Sequence, residues 1–290
     1  MKEDQTLSTQ VGKLWVVATP IGNLEDLGAR AKRVLAEVDL IAAEDTRRSG
    51  HLLGHLGLST PLISLHEHNE EARVPRLVEQ MREGQELALI SDAGTPLLSD
   101  PGYRLVRAAR AAQLQVLPVP GASAVLAALS VAGLPSDRFR FEGFLPASPG
   151  ARRECFGRLL DSRITVVCFE SSHRITASAA DLAALAPDRE IFLAREMTKQ
   201  FEEHFFGSAG ALPDWLAADA NRVRGEFVLL LGPLRNRAAD VDDSLLTPEQ
   251  EKVLDILLAE LPLKQAVHLT SRLTGVARNR VYARALERSS

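Results

Sequence analysis

The sequence predicts an α/β protein built from two successive α/β domains and a small helical C-terminal domain. Short apolar runs alternate with segments of helical spacing through the first 130 residues, which indicates a mostly parallel sheet with helices on its faces. A polar turn at 133–137 then precedes a stretch with more strands. A second polar stretch, 233–244, precedes a helical segment. We therefore expect domains at residues 1–134, 135–235 and 244–290.

In the first domain, the apolar runs are short and bounded by turn residues, as buried strands are. The segments between them place apolar residues at helical spacing, as Ala31, Val34 and Leu35 do in the first helix. The predicted strands are 14–18, 40–43, 62–65, 87–90 and 115–118. The predicted helices are 29–37, 47–56, 70–83, 102–112 and 121–132.

The second domain has a higher strand content, which predicts a mixed sheet. Its predicted strands are 139–145, 165–169, 191–195, 201–209 and 225–232, and its predicted helices are 152–160, 173–186 and 211–218. After the polar stretch, Thr247 and Pro248 form a helix start, with Thr as N-cap and Pro at the first helical position. Two or three short helices are expected from 248 to 288.

Composition excludes several classes of protein. The chain of 290 residues is 46% apolar and 25% charged, as globular proteins are, and its apolar runs are too short to span a bilayer. The N-terminus lacks an apolar signal core, so we expect a cytoplasmic protein that does not contact the membrane. Two cysteines without Cys-x-x-Cys spacing, Cys155 and Cys168, fit a reducing compartment and no structural zinc site.

The charge is unevenly distributed. The net charge is −4, yet residues 264–290 contain six basic residues and one acidic residue. A basic segment on an acidic body indicates a polyanionic partner such as nucleic acid. The alternative, which charge alone favours, is a solvated helical face.

Common ligand-binding motifs do not occur. The chain has no Gly-x-Gly-x-x-Gly, no Gly-x-x-x-x-Gly-Lys-Ser/Thr and no Gly-x-Ser-x-Gly, which disfavours NAD, ATP and a serine nucleophile. His51 and His55 have i, i+4 spacing, but the glutamate of a zinc protease is missing between them. We therefore predict surface histidines and no metal site.

Four polar turns follow predicted strands of the first domain, at 19–24, 44–47, 91–102 and 120–124. Parallel α/β sheets bind ligands at the carboxyl ends of their strands, so these turns should form one site. The third turn, SDAGTPLLSDPG, contains two each of Gly, Pro, Asp and Ser. A single such turn most simply reverses the chain, but four at one sheet edge favour a ligand site. The fourth begins a helix, where free N–H groups and Ser123 suit an electron-rich ligand group.

Several long motifs carry a resemblance to a known family. They include VATPIGNLEDLGARA, DLIAAEDTRRSGHLL, ALISDAGTPLLSDPGYRLVRAA, LPVPGASA, FESSHRI, LAREMTKQFEE and GEFVLLLG. The chain resembles the RNA-methylating branch of the tetrapyrrole-methylase-like superfamily over about residues 12 to 288. The resemblance implies S-adenosylmethionine as methyl donor, bound in a cleft between two α/β domains of a homodimer. It implies as acceptor the ribose 2′-oxygen of a decoding-centre cytidine in small-subunit rRNA, either free or in the assembled 30S subunit.

The resemblance also implies which residues line the cofactor site. They are Pro20, Ser91, Asp92, Ala93, Gly94, Thr95, Pro96, Ala122, Ser123, Phe169 and Ala194. Tetrapyrrole methylases have a Gly-Gly-Asp-Pro-like sequence where this chain has Asp92 to Pro96. This departure suits the RNA-methylating branch and leaves the individual contacts open.

A ribose hydroxyl is a poor nucleophile while protonated, so a base or a neighbouring cation should assist the reaction. The candidates are Glu44, Asp45, Glu67, Glu196 with Lys199, and Glu226. We predict Asp45, Glu196 and Lys199 as catalytic residues; their alternative role is in structural ion pairs. Arg47, Arg278, Arg280 and Arg284 are predicted to contact RNA phosphates. Two other functions stay open: methylation of a small tetrapyrrole-like molecule, and non-catalytic RNA binding in ribosome assembly.

Overall fold

The computed structural model describes residues 11–234 and 246–289 of the chain, and the side chains up to 288. Chain contacts divide it into two compact units, Met1–Leu234 and Arg235–Ser290. Each unit is described by itself. Most of the predicted 233–244 linker lies outside the described residues, and the domain boundaries at 134, 235 and 244 stay predictions.

The first sheet of the larger unit is entirely parallel, in the order β3-β2-β4-β1-β5. Its strands are β1 (Lys13–Val17), β2 (Leu40–Ala43), β3 (Leu62–Ser64), β4 (Leu87–Ile90) and β5 (Gln115–Val119). The helices that alternate with them are α1 (Ala29–Glu37), α2 (Thr46–Leu56), α3 (Glu70–Arg82), α4 (Tyr103–Ala111) and α5 (Ala124–Val131). The predicted parallel α/β domain is confirmed, and β4, buried throughout, lies at its centre.

The second sheet is mixed, as predicted, with the order β6-β7-β10-β8-β9. Only β6 and β7 are parallel. Its strands are β6 (Phe139–Phe144), β7 (Thr165–Ser171), β8 (Glu190–Arg195), β9 (Glu203–Ser208) and β10 (Glu226–Leu231). Its helices are α6 (Pro149–Leu160), α7 (Ile175–Leu185) and α8 (Leu212–Ala217), which pack on one face around the fully buried Phe156.

Helix α5 joins the two sheets. It follows the last strand of the first sheet, yet Val125, Ala128 and Leu129 pack against Val228 and Leu230 of β10. This apolar cluster is buried, so its contacts are expected to hold the two sheets together. The arrangement places the carboxyl edge of the parallel sheet beside the second sheet.

Two helix starts, those of α5 and α6, differ from the prediction by three residues, and the others agree within two. Helix α5 begins at Ala124 instead of 121, since Gly121 packs closely against Ala18 and Ser123 is still extended. A Cβ on Gly121 would lie 2.9 Å from the Cβ of Ala18, and Ser123 has extended backbone angles. Helix α6 begins at Pro149 rather than 152, because proline is well suited to the first turn of a helix.

The smaller unit consists, in its described part, of α9 (Pro248–Glu260), α10 (Leu263–Thr274) and α11 (Arg278–Ser289). Leu254, Val267, Val281 and Ala285 form its core. Thr247 begins α9 with a reciprocal capping box with Gln250, which confirms the helix start expected at this threonine. Across both described stretches of the chain, no helix combines the length and the apolar character needed to span a membrane.

Candidate active site

The four polar turns meet at the carboxyl edge of the parallel sheet. Thr19 in the first turn and Gly94 in the third exchange two backbone hydrogen bonds of 2.9 and 3.1 Å. The backbone N–H of Asp45 in the second turn donates to Asp92 Oδ1, at 3.1 Å. These contacts arise because β4, which carries the third turn, lies between β1 and β2 in the sheet.

The fourth turn completes the group, because the hydroxyl of Thr95 donates to the carbonyl of Ala122 at 3.0 Å. Where the third turn meets the first, Gly94 has φ +80°, and a Cβ on this residue would lie 3.1 Å from Ile21 Cγ2. Glycine adopts this left-handed conformation without strain and leaves room for the neighbouring turn. The predicted convergence of the four turns is therefore observed.

A cavity of about 510 Å³ opens between these turns and the second sheet, within the range of small-molecule sites. Both acidic and apolar side chains line it. The first-sheet side includes Ile21, Glu44, Arg48, Asp92, Ala93, Gly94, Thr95, Leu98, Ser99, Asp100, Ser123, Ala124 and Val125. The second-sheet side includes Phe144, Phe169, Glu170, Ser171, Ser172, Met197, Gly225, Glu226, Phe227 and Val228.

Six of the eleven predicted cofactor residues line this cavity: Asp92, Ala93, Gly94, Thr95, Ser123 and Phe169. The other five lie beside or behind the lining. Ser91, Pro96 and Ala194 are buried, and Ala194 belongs to the apolar cluster beneath α5. Pro20 and Ala122 are half-buried neighbours of lining residues in their turns. The assignment of all eleven to the cofactor stays a prediction.

Three carboxylates, Glu44, Asp92 and Asp100, line the cavity on the first-sheet side. Burial, followed by the charges of Asp100 and Asp92, raises the pKa of Glu44 above its ordinary value. Burial, with a smaller contribution from Asp92, raises the pKa of Asp100 to about 6, although the Ser91 hydroxyl opposes this. Asp92 also binds Arg48, at 3.0 Å. Sequence reasoning missed Asp100, since nothing in its local pattern reveals this burial.

On the second-sheet side, Glu170 holds the turn that presents Ser171 and Ser172 to the cavity. Its Oε1 accepts hydrogen bonds from the Ser171 N–H and the Arg174 Nε, both at 2.8 Å. Its Oε2 accepts from the hydroxyl of Ser178. Glu170 was not among the predicted site residues, although it belongs to the FESSHRI motif that helped carry the resemblance.

Lys199, predicted to be catalytic, lies at the rim of this region and does not line the cavity. Its Nζ donates to Glu196 Oε1 at 2.8 Å and to Glu226 Oε2 at 2.9 Å, and Glu226 does line the cavity. Burial alone would lower the pKa of Lys199, but its bonds to the two glutamates outweigh this and raise it. Lys199 is therefore a cation, and its stem covers Gly22 of the first turn.

The two acidic residues predicted to be catalytic, Glu196 and Asp45, also form hydrogen bonds within the protein. Burial raises the pKa of Glu196, but the hydrogen bonds from Lys199 and from the Glu226 N–H leave it below its ordinary value. Asp45 is the N-cap of α2, and its carboxylate accepts from the backbone and side chain of Arg47. These bonds lower the pKa of Asp45. Neither carboxylate lines the cavity, and their catalytic roles stay predictions.

The predicted RNA-binding arginines differ in their surroundings. Arg47 is 88% exposed and pairs with Asp45. In the smaller unit, Arg278 is exposed and Arg280 is partly buried. Arg284 binds Glu251 of α9 and Glu287, at 2.8 and 2.7 Å. Within the part of the chain that is described, no group of three or more His, Cys, Asp and Glu is arranged to hold a metal ion.

The fold and the cavity together define a two-sheet α/β protein with a ligand-sized cavity at the carboxyl edge of its parallel sheet, where proteins of this class bind their ligands. Comparison with known proteins shows which family within this class the chain matches. Residues 13–213 match the family model of the tetrapyrrole (corrin/porphyrin) methylases, and residues 244–289 match that of the RsmI C-terminal HTH domain.

Two curated relatives are similar over nearly the whole chain. The ribosomal RNA small subunit methyltransferase I of Pseudomonas aeruginosa is 49% identical, covering 96% of this chain and 98% of its own. That of Escherichia coli O157:H7 is 45% identical, covering 99% of both. The chain therefore belongs to the tetrapyrrole (corrin/porphyrin) methylase family, in the branch of the ribosomal RNA small subunit methyltransferases I.

A solved structure supports the fold. Uroporphyrin-III C-methyltransferase from Thermus thermophilus, complexed with S-adenosyl homocysteine, has a TM-score of 0.52 and 18% sequence identity. It covers 77% of this chain and 98% of its own. The predicted fold class and family are confirmed by these comparisons, and the chain is a methyltransferase.

Proposed function

We propose that this enzyme transfers the methyl group of S-adenosylmethionine to the ribose 2′-hydroxyl of a cytidine in the decoding region of small-subunit rRNA. The observation that carries the proposal is the cavity where four turns of the parallel sheet meet the second sheet. The family supports the methyl donor and rRNA as substrate. The cytidine and its 2′-oxygen rest on the sequence motifs quoted above.

The lining of the cavity fits S-adenosylmethionine chemically. This donor combines an adenine ring with a positively charged sulfonium, a positively charged amino group and one carboxylate, so it carries a net positive charge. Apolar side chains such as Phe169 and Val228 suit the faces of an aromatic ring. The carboxylates of Glu44 and Asp92 suit the positive charges.

We assign the six lining residues of the predicted set to the donor: Asp92, Ala93, Gly94, Thr95, Ser123 and Phe169. Bound there, the donor supplies a methyl group on a cationic sulfur, which is already activated for transfer. The chain's main task is therefore to hold the acceptor hydroxyl in line with that methyl group. The backbone bonds between Thr19 and Gly94 make the loop a rigid platform for this positioning.

Lys199 is the predicted catalytic residue that the geometry supports best. Two carboxylates keep it protonated, so it acts as a cation and not as a base. A cation near the acceptor oxygen would stabilise the negative charge that develops during transfer. In this proposal Glu196 and Glu226 hold the lysine in place, while Asp45 begins α2 beside the second turn.

RNA contacts are proposed at Arg47 and at the arginines of α11. Arg278 is exposed at the start of α11, after the turn that separates it from α10. Arg284 also forms ion pairs with Glu251 and Glu287 inside the unit, so phosphate contact there competes with those carboxylates. Arg278 should therefore contribute more to RNA affinity than Arg284 does.

Three further elements of the proposal rest on the resemblance: a homodimer, the 30S subunit as the form of the substrate, and cytoplasmic location. The last follows from the substrate, because small subunits are assembled in the bacterial cytoplasm. Sedimentation of the purified protein tests the dimer. A single 31.6 kDa species at micromolar concentration would contradict it.

The central experiment supplies S-adenosylmethionine labelled in its methyl group to the purified enzyme. Separate reactions contain 30S subunits lacking this methylation, free small-subunit rRNA, and a uroporphyrinogen. We expect label in 2′-O-methylcytidine after nucleoside digestion of the 30S sample. Label in a base, or in another nucleoside, would contradict the proposed acceptor. Label in the uroporphyrinogen would favour the tetrapyrrole alternative.

A further inference from the structure

Five carboxylates line the cavity, and their partners divide them into two groups. The set comprises Glu44, Asp92, Asp100, Glu170 and Glu226. Glu170 is saturated by Ser171, Arg174 and Ser178. Asp92 binds Arg48 and the Asp45 N–H, and Glu226 binds Lys199. These three are already held by cations or hydrogen-bond donors.

The remaining two carboxylates are Glu44 and Asp100. The negative charge of Asp92 acts on both, and that of Asp100 also acts on Glu44. Glu44 accepts a backbone hydrogen bond from Asp92 and also lies in the field of Arg48, which favours its charged form. The Ser91 hydroxyl favours the charged form of Asp100, and within the described residues no cation is paired with it. Among the five, Asp100 is thus the carboxylate that, in the described part of the chain, neither pairs with a cation nor lies in the field of one.

The loop that carries Asp100 is held at both ends. The Thr95 hydroxyl binds the carbonyl of Ala122, and the N–H of Gly102 donates to the buried carboxylate of Glu70 at 2.8 Å. Between these anchors, Leu97 and Ser99 adopt the left-handed conformation, at φ 73° and 69°. Such strain persists only where surrounding contacts impose it, and it is concentrated at functional sites.

We propose that Asp100 is the general base that removes the proton from the acceptor hydroxyl. The inference rests on the proposed function, because it needs a hydroxyl acceptor in this cavity. The proton of the hydroxyl passes to a carboxylate oxygen of Asp100, and the electron pair of the O–H bond stays on the acceptor oxygen. That oxygen forms the new bond to the methyl carbon as the carbon–sulfur bond breaks, and its electron pair remains on sulfur as a thioether. Asp100 then releases the proton to water.

The acid–base properties of Asp100 suit this role. A base works best when its pKa lies near the working pH, and the pKa of Asp100 is raised to about 6. Above that pH the carboxylate is ionised and ready to accept. The titratable neighbours of Asp100 are Glu44 and Asp92, and the Ser91 hydroxyl is also close. Its environment is therefore acidic, and its carboxylate is partly buried.

The test compares Asp100→Asn, Glu44→Gln and the exposed control Asp137→Asn with the unchanged enzyme. Three measurements are needed: S-adenosylmethionine affinity by calorimetry, single-turnover methylation of 30S subunits from pH 5 to 9, and urea unfolding over the same range. In the unchanged enzyme the rate should rise tenfold per pH unit to about pH 6 and then level off. Asp100→Asn should lose about 100-fold or more in rate and lose this pH limb, with donor affinity within about threefold. Asp137→Asn should match the unchanged enzyme.

Unfolding supplies a readout that does not depend on turnover. Because the folded pKa of Asp100 lies above the ordinary value of 3.8, its charge costs stability above about pH 6. Asp100→Asn should therefore be the more stable protein at pH 8, with the difference shrinking toward pH 4. A merely structural Asp100 would give a less stable variant.

Each outcome decides between the alternatives. The inference is overturned if Asp100→Asn keeps the rate and the pH limb, or if Glu44→Gln is the variant that loses the limb. It is also overturned if the loss of rate equals the loss of donor affinity, since Asp100 would then be a binding group. Failure of the proposed function has a different signature: the unchanged enzyme itself would place no label on a ribose.

Discussion

Replacing Gly94 by alanine tests whether the third turn holds the methyl donor. Gly94 has φ +80°, and a side chain in the left-handed region costs about 1–2 kcal/mol. Its Cβ would also lie 3.1 Å from Ile21 Cγ2, closer than the ~3.5–4.0 Å optimum for carbon contacts. The loop relieves this strain by turning away from the geometry that forms the cavity wall. If the loss falls on binding, 1–2 kcal/mol corresponds to roughly a five- to thirtyfold weaker donor affinity.

Gly57 provides a matched control. It ends α2 with φ +69°, and a Cβ there has no neighbour within 4 Å. Gly57→Ala should lower the free energy of unfolding by a similar ~1–2 kcal/mol and leave donor affinity unchanged. Calorimetric titration with S-adenosylmethionine and urea unfolding measure both quantities. Equal donor affinity in Gly94→Ala and the unchanged enzyme would refute the placement of the donor against this turn.

Three further predictions concern other parts of the chain. Phe156→Ala leaves a cavity in the apolar core between the second sheet and its helices, and should lower the free energy of unfolding in urea by about 3–5 kcal/mol. A loss below about 1 kcal/mol would mean that the core closes around the cavity. Arg278→Gln should weaken 30S binding and reduce its salt dependence, while Arg82→Gln, at an exposed position of α3, should not; equal effects would argue against a contact by α11. Lys199→Met should lower the methylation rate at saturating donor, and an unchanged rate would restrict this lysine to its ion pairs with Glu196 and Glu226.

The elements most accurately predicted depend on local signals. Helix α1 and strand β4 have the bounds that apolar spacing and flanking turns indicate. The start of α5 was misplaced, because Ala18, over a hundred residues earlier, controls the path of Gly121. Such a contact leaves no trace in the local pattern.

The site was predictable in outline for a similar reason. Strands in a parallel sheet end at one edge, so four polar turns after them must lie near one another. The quoted motifs added the donor and the family. Asp100 and Glu170 were missed because local spacing does not show which side chains become buried: burial raises the pKa of Asp100, and Glu170 is buried and accepts from the hydroxyl of Ser178.

The sequence by itself therefore determined the fold class, the family and the edge of the sheet where the four polar turns meet. Apolar periodicity and turn chemistry are short-range properties and can be read along the chain. Only the tertiary structure decided which ionisable side chains are held in ion pairs and which are not. It pairs Arg284 with α9, keeps Lys199 protonated between two glutamates and, among the residues that the structure describes, pairs no cation with Asp100. The physical reason is that ionisation depends on burial and on neighbouring charges, which folding brings together from distant parts of the chain.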